Sequence, residues 1–375
     1  MSELTQKLPA RGRGLHNPHP MKSRKLQFSL LALLLAVLAG AWAAQRPYHH
    51  GPVSAHFDGL RFSLPGRSIS KGLWEVLRWK AGSDPAVWPD QVPVAQYDQP
   101  PARVFGRQLR VSYVGHATLL LQTGGLNILT DPTWNERASL VNWAGPKRVS
   151  PPGIHYENLP EIDLVLVSHS HYDHMDLPTL ARLRQDHDPL FVAGLGNEVI
   201  IQGADPAARV QTLDWWQSTA VGEDLRVSAV PVEHWSRRSL FDRNKALWAG
   251  FVIHAPAGNI YFAGDTGFGD GSLFRETRRR MGEFRLALLP IGAYEPRWFM
   301  AAQHVNPEEA VRIHRILSPE LSVGMHHATF QLTDEAIDAP LLALSAALAK
   351  HRVPAGEFQA PVIGGVLQLP ARRGD

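Results

Sequence analysis

Four side chains able to hold a metal ion fall within six positions: His169, His171, Asp173 and His174, in the stretch SHSHYDHMD. In extended backbone an HxH pair places both imidazoles on one side of the chain. The tighter Asp173-His174 pair turns back, so its side chains can serve a second ion beside the first. Imidazole suits zinc, and one carboxylate among imidazoles suits a hydrolytic site with an open coordination position. The chain has no cysteine, which excludes thiolate ligands and a disulfide framework and leaves metal chemistry to histidine and carboxylate. An isolated HxH would be read as a His-rich surface loop. The apolar run Leu164-Val165-Leu166-Val167 directly before it argues instead for a buried strand that ends at a site.

The surrounding sequence supplies elements to position such a site. Strand patterning begins at LRVSYVGHATLLLQT, from Leu109, followed by a Gly124-Gly125 turn and LNILTDP, which is a hairpin signal. A loop over Trp134–Asp163 leads into the apolar run and the motif. Asp176–Asp186 reads as a helix, with Leu177, Leu180 and Leu183 on one buried face. Further strands follow in LFVAG, VQTLDWW, LRVSAVPVEHW, KALWAGFVIHAP, NIYFAGDTG, FRLALLPIGA and LSVGMHH, with a last one near Val362–Leu369. Helices are expected around Arg275–Met281, over Pro307–Leu317 and over Thr333–Lys350. Strands outnumber helices, and helices fall between strand groups in both halves. This predicts an α/β (α+β by some schemes) αββα sandwich, two packed sheets with helices outside.

The HxHxDH spacing resembles that of the metallo-β-lactamase superfamily. The resemblance implies three further ligands at strand ends, and His234, Asp265 and His326 each follow an apolar strand. It implies that His169, His171 and His234 hold one ion, that Asp173, His174 and His326 hold the other, and that Asp265 bridges them. Two Zn2+ ions about 3.5–4 Å apart would bring a bridging water towards deprotonation near neutral pH and stabilise charge on the attacked centre. The reaction class is hydrolysis of an ester, amide or phosphodiester.

A narrower resemblance rests on GHAT, LTDP, GPKR, LDWW, NKALW, FAGDTG, PIGAYEPRWFM and QHVNPEEAVRIH, spread from about His56 to beyond Phe330. Together they resemble the N-acyl-phosphatidylethanolamine-hydrolysing phospholipase D family. That resemblance implies attack of the bridging hydroxide on the headgroup-side phosphodiester of an N-acylated phosphatidylethanolamine, giving an N-acylethanolamine and phosphatidic acid. It further implies Gln303 and His304 near the phosphate, Tyr172 beside the metals as a donor, and a catalytic part for Asp173 and Asp265. Gln303 and His304 could equally cap the helix that starts at Pro307, and Arg297 could contact phosphate or serve a buried ion pair. His116 is expected to order its loop, Asp131 to support a ligand imidazole, and His326 rather than His327 to bind metal. The family carries Trp-Gly where this chain has His327-Ala328. A lactonase or another phosphodiesterase of the same fold is the alternative activity, and a non-catalytic metal-binding envelope protein the alternative class.

Charge argues against nucleic acid. Residues 1–27 carry Lys7, Arg11, Arg13, Lys22, Arg24 and Lys25 against Glu3, a net of +5, while the whole chain is +3. The remainder is therefore close to neutral, without the basic surface a nucleic-acid partner needs. Phe28–Ala44 is an uncharged apolar run behind that basic segment, with the small-x-small Ala41-Trp42-Ala43. It reads as a secretory signal or an N-terminal anchor. The expected organisation is residues 1–45 as signal or anchor, 46–100 as an extension packing on the core, and 101–375 as the hydrolase domain. Gly72–Gly82 in the extension reads as a helix with Trp74, Val76, Leu77 and Trp79 as an apolar stripe. The expected setting is the cell envelope, with the cytoplasm as runner-up, a phospholipid at a membrane surface as partner, and a homodimer left open.

Overall fold

The computed structural model describes residues 44–67 and 71–371, with a few isolated positions between 28 and 40. The chain divides into two compact units, Met1–Arg46 and Pro47–Asp375. Most of the apolar run Phe28–Ala44 lies outside the described residues. Among the described residues no helix is long and apolar enough to cross a membrane.

In the larger unit, helix α1 (Leu73–Gly82) precedes strands β1 (Leu109–Gly115), β2 (Thr118–Thr123), β3 (Leu126–Thr130) and β4 (Leu164–Val167). Then come α2 (Leu177–His187), β5 (Leu190–Gly194), α3 (Asn197–Ala204), β6 (Val210–Leu213), β7 (Ser218–Val221) and β8 (Leu225–Val230). The second half runs β9 (Gly250–Ala255), β10 (Gly258–Phe262), α4 (Ser272–Met281), β11 (Phe284–Pro290), α5 (Arg297–Met300), α6 (Pro307–Leu317), β12 (Leu321–Met325), α7 (Ala339–His351), β13 (Phe358–Gln359) and β14 (Val366–Leu369). The strands form two seven-stranded sheets, ordered β14-β1-β2-β3-β4-β5-β6 and β13-β12-β11-β10-β9-β8-β7. Each sheet is antiparallel on one side and parallel on the other, the change falling at β3 in the first and β10 in the second.

Side-chain alternation explains the layers. Leu119, Leu121, Leu164 and Leu166 enter the core that also takes Phe251, Ile253 and Leu288 of the second sheet. Leu120, Val165 and Val167 point the other way, into a smaller cluster closed by Leu180 and Leu183 of α2 and Ile201 of α3. LVLV is therefore apolar on both faces because both faces are covered, and each such residue is worth about 1.5–3 kcal/mol of burial. Helix α6 packs on β11 and is flanked by α4 and α7, covering the second sheet. The αββα sandwich expected from the sequence is the observed architecture.

Several elements depart from the sequence reading for identifiable reasons. LRVSYVGHATLLLQT is two antiparallel strands, because the chain reverses at His116, whose φ is +57°. The last long helix begins at Ala339, not near Thr333, with Pro340 in its first turn. Upstream, the Glu335 carboxylate is occupied by the backbone N–H groups of Ala293, Tyr294 and Glu295, which holds 333–338 out of the helix. On α1, Trp79 stacks on Phe299 at 4.8 Å, whereas Trp74 and Leu77 face solvent, so only part of the expected stripe packs. The extension does reach the core: Phe57, Phe62 and Leu64 are buried in it.

One close approach ties β11 to the end of β12. A Cβ added at Gly292 would lie 2.0 Å from the carbonyl oxygen of His326. Gly292→Ala must therefore displace the backbone that carries His326. We expect a lower melting temperature together with reduced metal content by elemental analysis; wild-type values of both would show that the strand ends are not fixed by this contact.

Candidate metal centre

Every proposed ligand sits just past a strand end, and strands of both sheets contribute. β4 of the first sheet runs directly into Ser168 and His169, and a tight turn follows in which the His174 and Met175 N–H groups donate to the carbonyl of His171. His234, Asp265 and His326 follow β8, β10 and β12 of the second sheet. A backbone hydrogen bond joins the two sheets here, from the N–H of His326 to the carbonyl of His116 at 2.7 Å, while the N–H of Asp131 donates to the carbonyl of Leu166 and holds the end of β3 to β4.

The donor atoms form two triads. His169 Nε2 lies 2.8 Å from His171 Nδ1, which lies 3.2 Å from His234 Nε2. In the other triad His174 Nε2 and His326 Nε2 are 3.2 Å apart, and each is within 3.5 Å of an Asp173 carboxylate oxygen. Ligand atoms placed tetrahedrally about one zinc at its usual bond lengths are about 3.3 Å apart, so the spacing fits an ion in each triad. Asp265 lies between them. Its Oδ2 is 3.1 Å from His174 and 3.8 Å from both His169 and His234, and its Oδ1 is 3.2 Å from His326. Asp265 Oδ1 is buried without a hydrogen-bond partner, as are His171 Nε2 and His304 Nδ1, and a buried carboxylate oxygen in that condition calls for a cation.

Neighbouring groups set the tautomers. Ser168 Oγ donates to Asp131 at 2.5 Å, so it accepts from His169 Nδ1 at 2.9 Å. His174 Nδ1 donates to Asp131 at 2.6 Å, and His234 Nδ1 to the carbonyl of Gln303 at 3.0 Å. Each bond leaves the Nε2 lone pair aimed inward. Asp131 thus supports two ligand imidazoles, one directly and one through Ser168, as the sequence led one to expect for one of them.

Residues 126–327, more than half of the chain, match the β-lactamase superfamily domain. The chain belongs to this superfamily. It is 39% identical over 232 residues to N-acyl-phosphatidylethanolamine-hydrolyzing phospholipase D 1 of Caenorhabditis elegans, an overlap of 60% of this chain and 65% of that protein. The chain thus spans slightly less than two thirds of that relative's length. It is 37% identical over 319 residues to an uncharacterized protein of Mycobacterium tuberculosis, covering 84% of this chain and 82% of the relative. Among solved structures, the metallo hydrolase Igni18 of Ignicoccus hospitalis superposes with a TM-score of 0.52 at 19% identity, over 71% of this chain and all of the other. The resemblance to the N-acyl-phosphatidylethanolamine-hydrolysing phospholipase D family is borne out, and the chain, which is also similar to proteins named metal-dependent hydrolases, has the superfamily fold with His/Asp groups able to hold metal.

Burial keeps the imidazoles of this superfamily member in two protonation classes. Burial lowers His169 well below its ordinary value, His171 to about 4 and His234 to about 3, so these three are neutral and ready to ligate. At His174 and His326 burial also opposes the charge, but the surrounding carboxylates, Asp265 foremost, outweigh it: His174 is raised well above its ordinary value and His326 to about 9. A proton held by this pair occupies the place of a cation.

The remaining predicted residues divide. His304 belongs to the site, with Nδ1 3.8 Å from Asp265 and its ring 5.3 Å from that of His234. Gln303 lies beside it and acts through its carbonyl on His234; its side-chain nitrogen is 3.6 Å from Met300 sulfur. Neither caps α6, because Asn306 does so through a complete capping box with Glu309. Of the two roles left open for Arg297, phosphate contact or ion pair, the structure shows the ion pair: it pairs with Glu309 at 2.7 Å and donates to the carbonyl of His304 at 2.9 Å, which fixes the loop. Tyr172, expected as a donor at the metals, gives its hydroxyl proton to the carbonyl of Arg238 at 2.6 Å. Arg238 lies over the Tyr172 ring and donates to the carbonyls of Ser170 and Met175, stapling the ligand loop. His327 stacks on Tyr113 and stands outside the triads.

His116 does more than order a loop. Its Nε2 donates to Asp173 at 2.9 Å, its ring centroid is 3.9 Å from that of His326, and burial lowers it to about 3. A neutral N–H donor on a ligand carboxylate selects which oxygen faces the metal.

Two outcomes follow from this geometry. Asp131→Ala leaves His174 Nδ1 and Ser168 without their acceptor and should weaken metal binding about 10–100-fold in a chelator competition; unchanged affinity would remove Asp131 from the site. Because His326 is raised to about 9 by its carboxylates, reloading chelator-treated protein with zinc at pH 8 should release at least one proton per chain to an indicator dye. No release would place the second ion elsewhere.

Proposed function

We propose that this chain is a two-zinc phosphodiesterase that hydrolyses N-acyl-phosphatidylethanolamine on the headgroup side of phosphorus, and that it works in the cell envelope. The observation that carries the reading is Asp265, whose carboxylate faces both donor triads at once. The first triad would hold one ion through His169, His171 and His234, and the second the other through Asp173, His174 and His326. When bound, such a pair supplies Lewis acidity and a water nucleophile at neutral pH. Similarity to a relative named for this lipid supports the substrate class.

The chain's own residues suit a lipid phosphodiester. A cavity of about 580 Å³ lies against the ligand loop, lined by Tyr172, Met175, Leu177, Val141 and Arg238, with Leu140 at 79% exposure among its walls. Trp143, 77% exposed, lies on the same 139–143 segment. The same cavity also presents Asn135, Glu136, Arg137, Asn142 and Asp176, and no ligand of either triad lines it, so it would take the parts of the lipid beyond the phosphorus. His304, pushed down to about 3 by burial, is neutral at physiological pH and can donate a ring N–H to a phosphate oxygen. The P–O bond to the N-acylethanolamine breaks and water supplies the replacing oxygen to phosphorus; one of the water's protons ends on the leaving alkoxide and the other on the phosphomonoester, from which it passes to solvent.

Metal-loaded protein incubated with N-acylated and with plain phosphatidylethanolamine should give N-acylethanolamine and phosphatidic acid from the former by mass spectrometry. No turnover of that lipid, with rapid lactone hydrolysis instead, would leave the fold and overturn the substrate. Elemental analysis should find about two zinc ions per chain. His304→Ala should cost about 1.5–3 kcal/mol, or roughly ten- to a hundred-fold in rate, with metal content unchanged.

A further inference from the structure

The arm that brings His304 to the centre is held by a carboxylate from a later part of the chain. Glu335 is 8% exposed, and its two oxygens accept three consecutive backbone N–H groups. Oε1 takes those of Ala293 and Tyr294 at 2.6 and 3.3 Å, and Oε2 takes that of Glu295 at 3.1 Å. We propose that Glu335 is a positioning residue for the substrate site, fixing the 293–304 arm and so setting where His304 stands beside the triads.

The arm needs such a hold at its start. Ala293 has φ +60°, in the left-handed region that disfavours any residue with a Cβ. Backbone of this kind persists only where its surroundings over-determine it. Ala293 and Tyr294 are buried, so their N–H groups cannot turn to water, and an N–H left there without an acceptor is costly. A carboxylate meets all three donors because both of its oxygens accept; an amide would turn its NH2 towards at least one of them.

From that turn the hold passes along the arm to the site. The Glu295 carboxylate accepts the N–H of Arg297 at 2.9 Å at the start of α5. At the end of α5 the Met300 carbonyl accepts the N–H of His304 at 2.9 Å, and Arg297 donates to the carbonyl of the same residue. Glu335 is in turn gripped from behind. Thr333 Oγ1 donates to Oε2 at 2.7 Å, and Trp88 Nε1 of the N-terminal extension donates to the Glu335 carbonyl at 2.8 Å. Next to it, Asp334 takes the Ser83 hydroxyl at 2.6 Å and the Ala86 N–H at 2.9 Å. The extension thereby braces the element that places His304.

This role rests on the reading of His304 as a phosphate donor, so one arm of the test needs no turnover of lipid. Metal-loaded full chain, wild type and Glu335→Gln, is compared in kinetics on N-acylated phosphatidylethanolamine and in isothermal titration with inorganic phosphate. KM should rise and phosphate affinity fall by about ten-fold, the lower end for a hydrogen bond to a charged group, with kcat changed much less and metal content unchanged. Adding Ala293→Gly should recover most of the loss, because glycine adopts the left-handed conformation freely. If Glu335→Gln fails to fold, Thr333→Val, which removes only the hydroxyl on Oε2, should shift both quantities the same way by a smaller factor. Wild-type KM and phosphate affinity in whichever variant folds overturn the proposal. A variant that melts early and loses metal, yet keeps wild-type phosphate affinity per loaded site, assigns Glu335 to stability alone and also overturns it. If wild type leaves the lipid intact, the substrate reading fails by itself and the phosphate titration still decides on Glu335.

Discussion

Burying the Asp265 carboxylate at 3% exposure would be prohibitively costly without positive charge drawn up to it. Five imidazoles surround it, His169, His174, His234, His304 and His326, each with a nitrogen within 3.8 Å of its oxygens; of these His174 and His326, raised by the carboxylates, carry the positive charge, and the other three are neutral. They arrive from both sheets, so the two sheets must stop in register for the carboxylate to be tolerated at all. Much of the rest of the architecture can be seen as serving that alignment, from the hydrogen bond of the His326 N–H to the His116 carbonyl to the capped start of α6 behind His304.

The supporting residues form a connected web rather than a set of separate props. Asp131 joins His169, through Ser168, to His174. His116 joins the second triad to the strand reversal between β1 and β2. Arg238 joins the ligand loop to the segment that follows His234. A perturbation at one ligand is therefore felt by the others, and single substitutions here should not be additive.

Much of this was legible in the sequence because it was written in local patterns. HxHxDH after LVLV, strand-end His234, Asp265 and His326, and helix Pro307–Leu317 each depend on residues close together in the chain. What was not legible depended on distant partners. Whether Arg297 would meet phosphate or Glu309 turned on the packing of α5 against α6, and Tyr172 found its acceptor 66 positions away at Arg238. Thr333–Asp338 has helical composition, yet Glu335 is committed to three amides some forty residues upstream. His116 carried no periodic signal, and its purpose emerges only when Asp173 is brought beside it.

The two-sided burial of β4 has a further consequence. A strand with one wet face is kept from slipping by hydrophobicity, because a one-residue shift would turn its apolar side to water. Leu164 to Val167 lacks that safeguard, since either face is equally at home in its surroundings. Its position along the sheet has to be measured from its ends. At one end the Asp163 carboxylate accepts the N–H of Asn127 at 2.8 Å, and at the other Asp131 accepts the N–H of Ser168 at 2.7 Å. These two clamps work as a ruler laid along the strand, and the ligand loop begins at its final mark.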